Sequence, residues 1–259
     1  MALTLADVYS KFPASATFLP SRMFNGNLRF GKIITNPNCS VVGITMALKP
    51  LLDHFGIESV NVVTLQALSG AGYLGVASMD ILDNVIPFIA GEEAKIETEP
   101  LKILGTLEKT IIPYPMRLSA QCTRVPVSDG HLGCVSVKLK KKASAEEIID
   151  AWRGFKGEPQ ELKLPMAPKC PLIYLDHEMH PQPKLHRSLE NGMAVSIGRL
   201  RKCSLFDWKF VILSHNTIRG AAGCAILNAE LMARKGYFGE AYRSSSVSTV
   251  SKLSVSSIS

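Results

Sequence analysis

The stretch TNPNCSVVGITMALKPLL, residues 35–52, places a cysteine at the start of a predicted helix. Proline and asparagine favour a turn at residues 36–38, and the apolar run after Ser40 is typical of a buried helix that bends or ends at Pro50. Cys39 is therefore expected in or beside the first helical turn, where unpaired N–H groups and the helix dipole favour a thiolate. This position makes Cys39 a candidate nucleophile; a buried, unreactive thiol is the alternative.

The composition excludes several classes of protein. The chain has 259 residues, of which 46% are hydrophobic, enough for one large or two small domains. It has no apolar run long enough to span a membrane. Six scattered cysteines without a C-x-x-C pair, and no signal-peptide pattern, predict a cytoplasmic location without disulfides or a zinc site. The net charge of +7 suits the binding of anionic small molecules. The basic residues are not concentrated in one arm, so no nucleic-acid partner is predicted.

Local patterns predict an α+β fold with a mixed β-sheet, because strands and helices do not alternate regularly. Residues 1–28 have no clear pattern, and the serine-rich residues 244–259 predict a disordered tail. Residues 156–190 are proline-rich and irregular. Strands are predicted at 29–35, 59–68, 118–127, 131–140, 193–201 and 208–214, a short extended piece at 82–88, and helices at 91–104 (interrupted by Pro100), 144–155 (opened by a capping box of Ser144 and Glu147) and 217–235.

Ser-Asp-Gly between the strands at 118–127 and 131–140 predicts a β-hairpin. With a two-residue loop, alternation places Arg124 and His131 on one face of that hairpin. A guanidinium and a titratable imidazole on one surface suit the binding of a carboxylate together with proton transfer. An exposed sheet face is the alternative.

Glycines follow the second predicted strand. Residues 70–75, GAGYLG, match G-x-G-x-x-G, but the following residues lack the helix and strand that a dinucleotide-binding fold requires. We therefore interpret them as a turn that lets the backbone approach a ligand closely. Gln66, just before this turn, is either a core amide or a group directed at a substrate. Glu92 and Lys95 are three residues apart on a predicted helix, where a surface ion pair is the default interpretation.

Six motifs, in this order, resemble the aspartate-semialdehyde dehydrogenase family in the branch typical of archaea and fungi. They are TNPNCS (35–40), QALSGAG (66–72), NVIPFIAGEEAKI (84–96), RVPVSDGH (124–131), GMAVSIGRLR (192–201) and HNTIRGAAGCAILNAEL (215–231). The resemblance implies a fold like the catalytic and dimerisation domain of that family. It also implies NADPH-dependent reductive dephosphorylation of 4-phospho-L-aspartate to L-aspartate 4-semialdehyde through a cysteine thioester, in lysine, methionine and threonine biosynthesis.

The resemblance implies a role for each matching residue. Cys39 would be the nucleophile, His131 the general acid/base, and Gln66 the residue that orients the substrate or intermediate. Arg124 would bind the α-carboxylate of the substrate, and Glu92 would bind its amine. Lys95 would bind the phosphate. The nicotinamide end of NADP would meet Ser69, Gly70, Gly72 and Asn216. No metal is implied, and a homodimer or higher homo-oligomer is expected.

The chain also departs from the family pattern. The family begins with a Rossmann domain, and its cysteine comes much farther along the chain than residue 39. We therefore expect a divergent lead-in at 1–28, a catalytic and dimerisation domain at 29–237 that includes the helix at 217–235, and the tail at 244–259. A catalytically silent dimerisation or interaction protein is one alternative. A relative that acts on another acyl phosphate or acyl thioester is a second.

Overall fold

The computed structural model describes residues 34–108 and 110–237. The predicted lead-in at 1–28, almost all of the predicted strand at 29–35 and the predicted tail at 244–259 lie outside the described residues. The strands are β1 (Ile57–Gln66), β2 (Thr106–Leu107), β3 (Ile111–Ile112), β4 (Arg117–Arg124), β5 (His131–Leu139), β6 (Leu172–Leu175), β7 (Val195–Lys202) and β8 (Trp208–Ser214). The α-helices are α1 (Cys39–Phe55), α2 (Ser78–Ile81), α3 (Glu92–Ile103), α4 (Ala145–Arg153), α5 (Glu158–Glu161), α6 (Pro183–His186) and α7 (Gly223–Arg234).

Six strands form one mixed sheet in the order β4-β1-β5-β8-β7-β6. β1 is parallel to β4 and antiparallel to β5, while β8 is antiparallel to both β5 and β7. β6 completes the sheet by pairing in parallel with β7. The prediction of an α+β fold with a mixed sheet is therefore confirmed. In the described ranges, no helix is both long and apolar enough to cross a membrane.

The prediction that β4 and β5 form a hairpin is wrong. β1 lies between these two strands, so that Val63 of β1 is the register partner of Gln121 in β4 and of Cys134 in β5. The chain at 125–130 crosses the end of β1 instead of folding β5 back onto β4. A turn signal reports local backbone preference, and it does not show that an earlier strand occupies the intervening position.

Helix α1 is the central element of the hydrophobic core. Its apolar residues between Val41 and Leu51 are almost completely buried against the sheet and neighbouring helices, and each fully buried Val, Leu, Ile or Met contributes about 1.5–3 kcal/mol. Trp152 of α4 packs edge-on against Phe210 of β8, with ring centroids 5.0 Å apart. Its indole Nε1 donates to the carbonyl of Ala47 at 2.9 Å. This packing fixes the middle of α1 relative to the sheet.

Several boundaries differ from the predictions. Helix α1 continues through Pro50 to Phe55 and ends at Gly56, whose φ is 68°, a value that favours glycine. Pro100 lies inside the last turn of α3 without interrupting it. The Ser144 capping box is confirmed, whereas β6 was missed within the proline-rich residues 156–190. The predicted final helix is a π-helical turn, Ile218–Ala222, followed by α7.

Candidate active site

The candidate site lies at one edge of the sheet. The parallel strands β1 and β4 end there with Gln66 and Arg124, which are register partners. The antiparallel strand β5 begins at the same edge with His131, whose partner is Ser214 at the end of β8. Because α1 packs on this sheet, its first residue, Cys39, reaches the same edge, where its Sγ lies 3.4 Å from Nε2 of His131. The topology thus gathers residues that are far apart in sequence.

Cys39 begins helix α1, as predicted, and Asn38 caps it. The side-chain Oδ1 of Asn38 accepts from the backbone N–H groups of Ser40 at 2.9 Å and Val41 at 3.3 Å. Burial raises the pKa of the Cys39 thiol, and the Glu92 carboxylate raises it further, which outweighs hydrogen bonding by Ser40 and the backbone of Cys39. The backbone N–H groups at this position lower that pKa, as expected. The helix terminus therefore lessens the penalty for a buried anion without removing it.

His131 is only 3% exposed. Its Nδ1 accepts a hydrogen bond from the backbone N–H of Ala67 at 3.0 Å, and its Nε2 faces Cys39. Burial, followed by the nearby Arg124 cation, lowers the pKa of His131 to about 3. The imidazole is therefore neutral at physiological pH.

Arg124 lies beside His131 and is also buried. Its Nη1 donates to the carbonyl of Ala67 at 2.7 Å. The two side chains therefore come together through the register of β4, β1 and β5, and not through the predicted hairpin face; the alternative of an exposed sheet face is wrong. Gly70 lies directly against both, since a Cβ there would fall 2.9 Å from Nη1 of Arg124 and 2.9 Å from Cε1 of His131.

Glu92, at the first position of α3, accepts hydrogen bonds from three side chains of the site. Its carboxylate accepts from Nδ2 of Asn38 at 2.8 and 2.9 Å, from Nε2 of Gln66 at 3.2 Å and from Nζ of Lys95 at 3.2 Å. Burial raises the pKa of Glu92, but these three donors outweigh it and hold that pKa below its ordinary value. The predicted surface ion pair with Lys95 forms, but only Lys95 is substantially exposed, with 51% of its side-chain surface accessible against 10% for Glu92.

The glycine turn, residues 67–72, forms the wall of the site beside Arg124 and His131. Leu68–Ala71 is a 3-10 turn, and the N–H of Leu68 donates to the carbonyl of Val127 at 2.7 Å. The turn is followed by the four-residue helix α2 and not by the long helix of a dinucleotide-binding loop. The backbone of this turn approaches Arg124 and His131 closely at Gly70, while its approach to a ligand stays a prediction. Gly72 has φ 74°, and a Cβ there would meet no atom within 4 Å.

The side chain of Asn216 forms a hydrogen bond with the glycine turn. Its Oδ1 accepts from the backbone N–H of Gly130 at 2.8 Å, and its Nδ2 donates to Oγ of Ser69 at 2.8 Å. Asn216 is 2% exposed. It therefore joins the glycine turn to the loop before β5 and holds the Ser69 hydroxyl in place.

Sequence reasoning gave no role in the site to four residues that shape it. Asn38 and Ala67 are the direct supports of Glu92 and His131. Asn36 accepts from Nδ2 of Asn228 and donates to the carbonyl of Ala221, at 2.8 and 2.9 Å. A Cβ on Gly220 would fall 2.8 Å from Cβ of Cys39. The asparagines in TNPNC were available as a capping signal; the roles of Ala67 and Gly220 depend on backbone contacts, for which the sequence carries no signal.

Three histidines lie outside this site, two in the loop before α6 and one at the last position of α6. The rings of His177 and His180 have centroids 4.6 Å apart, and those of His180 and His186 are 4.3 Å apart. Across residues 34–108 and 110–237, no group of His, Cys, Asp and Glu side chains has a geometry that could hold a metal ion.

A cysteine at a helix N-terminus, facing a buried histidine with an arginine beside it, is an arrangement typical of enzymes with a nucleophilic thiol. Three comparisons place this arrangement in a family. A family described as semialdehyde dehydrogenase, dimerisation domain, matches residues 48–219. The chain is 49% identical to the aspartate-semialdehyde dehydrogenase of Methanothermobacter thermautotrophicus over 205 residues, covering 78% of this chain and 59% of the relative. It is 52% identical to the Schizosaccharomyces pombe protein of that name over 213 residues, covering 80% and 60%.

The solved structures agree with the sequence relatives. The crystal structure of aspartate-semialdehyde dehydrogenase with NADP from Candida albicans aligns with a TM-score of 0.77 at 39% identity, covering 90% of this chain and 65% of that one. The chain belongs to the semialdehyde dehydrogenase family, and the relatives compared above are aspartate-semialdehyde dehydrogenases of an archaeon and of fungi. It spans about 60% of the length of the two curated relatives described above.

Proposed function

We propose that this chain carries the catalytic part of an NADP-dependent aspartate-semialdehyde dehydrogenase, which converts 4-phospho-L-aspartate to L-aspartate 4-semialdehyde and phosphate. The observation that carries this proposal is the 3.4 Å separation between Sγ of Cys39 and Nε2 of His131 at the capped end of α1. The identity to relatives of that name supports the choice of substrate.

Cys39 is the proposed nucleophile. Its thiolate attacks the acyl carbon of the aspartyl phosphate, a C–S bond forms, and the C–O bond to phosphate breaks with the electron pair leaving on phosphate. Arg124 offers a planar guanidinium for the α-carboxylate, a pairing that is often bidentate. Gln66 and His131 are proposed to orient the substrate and to handle the proton at the reacting centre.

Glu92 and Lys95 are proposed to exchange partners when substrate binds. Both carboxylate oxygens of Glu92 have donors in the structure, and Lys95 is the most exposed of those donors. A substrate ammonium group that takes the place of Lys95 on Glu92 leaves the lysine free for the phosphate. The pair thus serves both charged ends of the same substrate without leaving the buried carboxylate unpaired.

The glycine turn fits the nicotinamide end of NADP. Gly72 leaves open space above the turn, and the Ser69 hydroxyl is held in place by Asn216. When bound, the cofactor supplies the hydride that reduces the thioester. We propose Ser69, Gly70, Gly72 and Asn216 as the residues that hold this end.

Acylation of Cys39 tests the proposal without any cofactor. The purified chain is mixed with aspartyl phosphate and its intact mass is measured; the mass of one aspartyl group is expected, and Cys39→Ser abolishes it. Cys134→Ser, at an exposed position on β5, is the matched control and keeps the adduct. A folded chain that gains no mass contradicts the proposed function. NADPH oxidation with the same substrate then tests the cofactor.

A silent dimerisation protein is the second candidate, because the matching family is described as the dimerisation domain of semialdehyde dehydrogenase. The division into residues 1–28, 29–237 and 244–259 belongs to the proposal, as do homo-oligomerisation and a cytoplasmic location. Light scattering on the purified chain gives its oligomeric state. A dimer without acylation by aspartyl phosphate or a simpler acyl phosphate, such as acetyl phosphate, favours the silent protein; acylation by acetyl phosphate alone favours a relative with another substrate.

A further inference from the structure

The peptide groups of Ala67 hold the two charged or titratable side chains that flank Cys39. Its backbone N–H donates to Nδ1 of His131 at 3.0 Å, and its carbonyl accepts from Nη1 of Arg124 at 2.7 Å. Ala67 itself is 0% exposed. One buried residue without a functional side chain therefore sets the position of both partners.

A backbone N–H can only donate a hydrogen bond, so the nitrogen that receives it must carry a lone pair. In a neutral imidazole one nitrogen is protonated and the other is not. Because Ala67 occupies Nδ1 as a donor, the single proton of neutral His131 is left on Nε2. That nitrogen is the one that lies 3.4 Å from Sγ of Cys39.

We propose that the N–H of Ala67 fixes His131 in the tautomer with its proton on Nε2, so that His131 faces Cys39 as a hydrogen-bond donor and not as the base that removes the thiol proton. This inference rests on the proposed function only in assigning the proton that His131 brings to that reaction. Ala67 is accordingly a positioning residue, acting through its backbone.

The surroundings of His131 support the neutral form. The imidazole is buried, and the Arg124 guanidinium lies against the same glycine, Gly70. A second positive charge on the ring is therefore disfavoured, and the pKa of His131 lies well below its ordinary value. The thiol proton of Cys39 accordingly leaves to solvent before attack, and the resulting thiolate accepts a hydrogen bond from Nε2–H.

Nitrogen NMR tests this tautomer on the ligand-free chain. The histidines are labelled with ¹⁵N, and the long-range proton–nitrogen correlations of His131 are assigned by their loss in His131→Gln. At neutral pH we expect a protonated Nε2 and an unprotonated Nδ1. A proton on Nδ1, or on both nitrogens, overturns the proposal. The measurement needs neither substrate nor cofactor, so its result is independent of whether the proposed function holds.

A single-atom change tests the part played by Ala67. Replacing the amide between Gln66 and Ala67 by an ester, with lactic acid at position 67, removes the N–H and keeps the side chain. The Nδ1-protonated tautomer is then expected to become populated. The matched control is the corresponding ester at Gly75, whose N–H donates to the carbonyl of Gly72 at 2.9 Å; it is expected to leave the tautomer unchanged. An unchanged tautomer in the Ala67 ester overturns the role of that N–H.

The pH dependence of the rate of Cys39 alkylation gives a third test of the proposal. If His131 donates and does not accept, the rate with iodoacetamide follows the thiolate fraction and rises about tenfold per pH unit between pH 6 and 8. If His131 is the base, the rate instead reaches a plateau in this range, because an ion pair forms once the imidazole takes the proton. Adduct mapping by peptide mass spectrometry separates Cys39 from the exposed Cys134 and Cys170. A plateau for Cys39 overturns the proposal.

Discussion

Two turns meet at Cys39, and they are built differently. The capping turn, residues 36–40, is held by side chains: Asn38 binds the helix and Glu92, while Asn36 binds Asn228. The glycine turn, residues 67–72, is held mainly by backbone groups, chiefly those of Ala67 and Leu68. Side-chain support can be recognised from residue types, whereas backbone support appears only once the fold is known. Substitutions in the two turns should therefore have different effects on stability and on activity.

The largest effect is expected from Gly70→Ala in the glycine turn. Its Cβ would lie 2.9–3.0 Å from Arg124 and His131, so at least one of them must move. A displacement of about 1 Å lowers the rate about 100-fold, and the rate of Cys39 acylation measures it. Gly75→Ala is the control in the same loop, because a Cβ there meets nothing within 4 Å, although its φ of 61° strains an alanine. Equal losses in both variants would mean that a general disturbance of the loop, not displacement of Arg124 or His131, is responsible.

Asn38→Ala in the capping turn is expected to lower the free energy of unfolding by about 2–3 kcal/mol. Loss of an N-cap costs about 1 kcal/mol, and the buried Glu92 carboxylate loses two hydrogen bonds as well. Urea unfolding measures the change. Ser144→Ala removes the cap of α4, where no buried carboxylate depends on the capping side chain, and about 1 kcal/mol is expected there. Similar losses at both caps would contradict the bridging role of Asn38.

Stability should fall in acid through His131. Its pKa is lowered to about 3 in the folded chain, while an unfolded histidine titrates near pH 6.5. Between these values the unfolded state binds more protons, so stability is fully present above pH 6.5 and is lost as the pH falls toward 3. From pH 7 to 5 the expected loss from this residue is about 2 kcal/mol. The pH dependence of urea unfolding should be shallower in His131→Gln by this amount; parallel curves would show that His131 titrates normally.

The smallest loss of stability is expected from substitution of Lys95, the exposed ion-pair partner of Glu92. Lys95→Met removes a half-exposed ion pair, for which less than about 1 kcal/mol is expected. Gln66→Met removes a buried donor to the same carboxylate and should cost more. Thermal unfolding of the two variants compares them. A larger loss from Lys95→Met would mean that the lysine is a structural support, which would argue against its proposed exchange with a substrate amine.

Local features of this fold could be predicted, and pairings between distant segments could not. Helix α1 and the Ser144 capping box follow from neighbouring residues, so the sequence carries them directly. The position of β1 between β4 and β5 depends on long-range pairing, and β6 is a four-residue strand in a proline-rich segment. The resemblance to a family supplied the candidate side chains. It could not show that Ala67 contacts two of them, because an alanine in a loop has no distinguishing pattern.

The contact between the π-helical turn and the nucleophile has a consequence for synthesis of the chain. Asn36 receives its hydrogen bond from Asn228, 192 residues later, and Gly220 packs against Cys39. The ribosome adds about 5–20 residues per second. The nascent chain therefore carries an unfinished capping turn for roughly ten seconds or longer after Cys39 is made. During that time the Cys39 thiol lacks the π-helical turn that later packs against it. Oxidants or electrophiles in the cell can then reach the thiol more readily than in the finished protein.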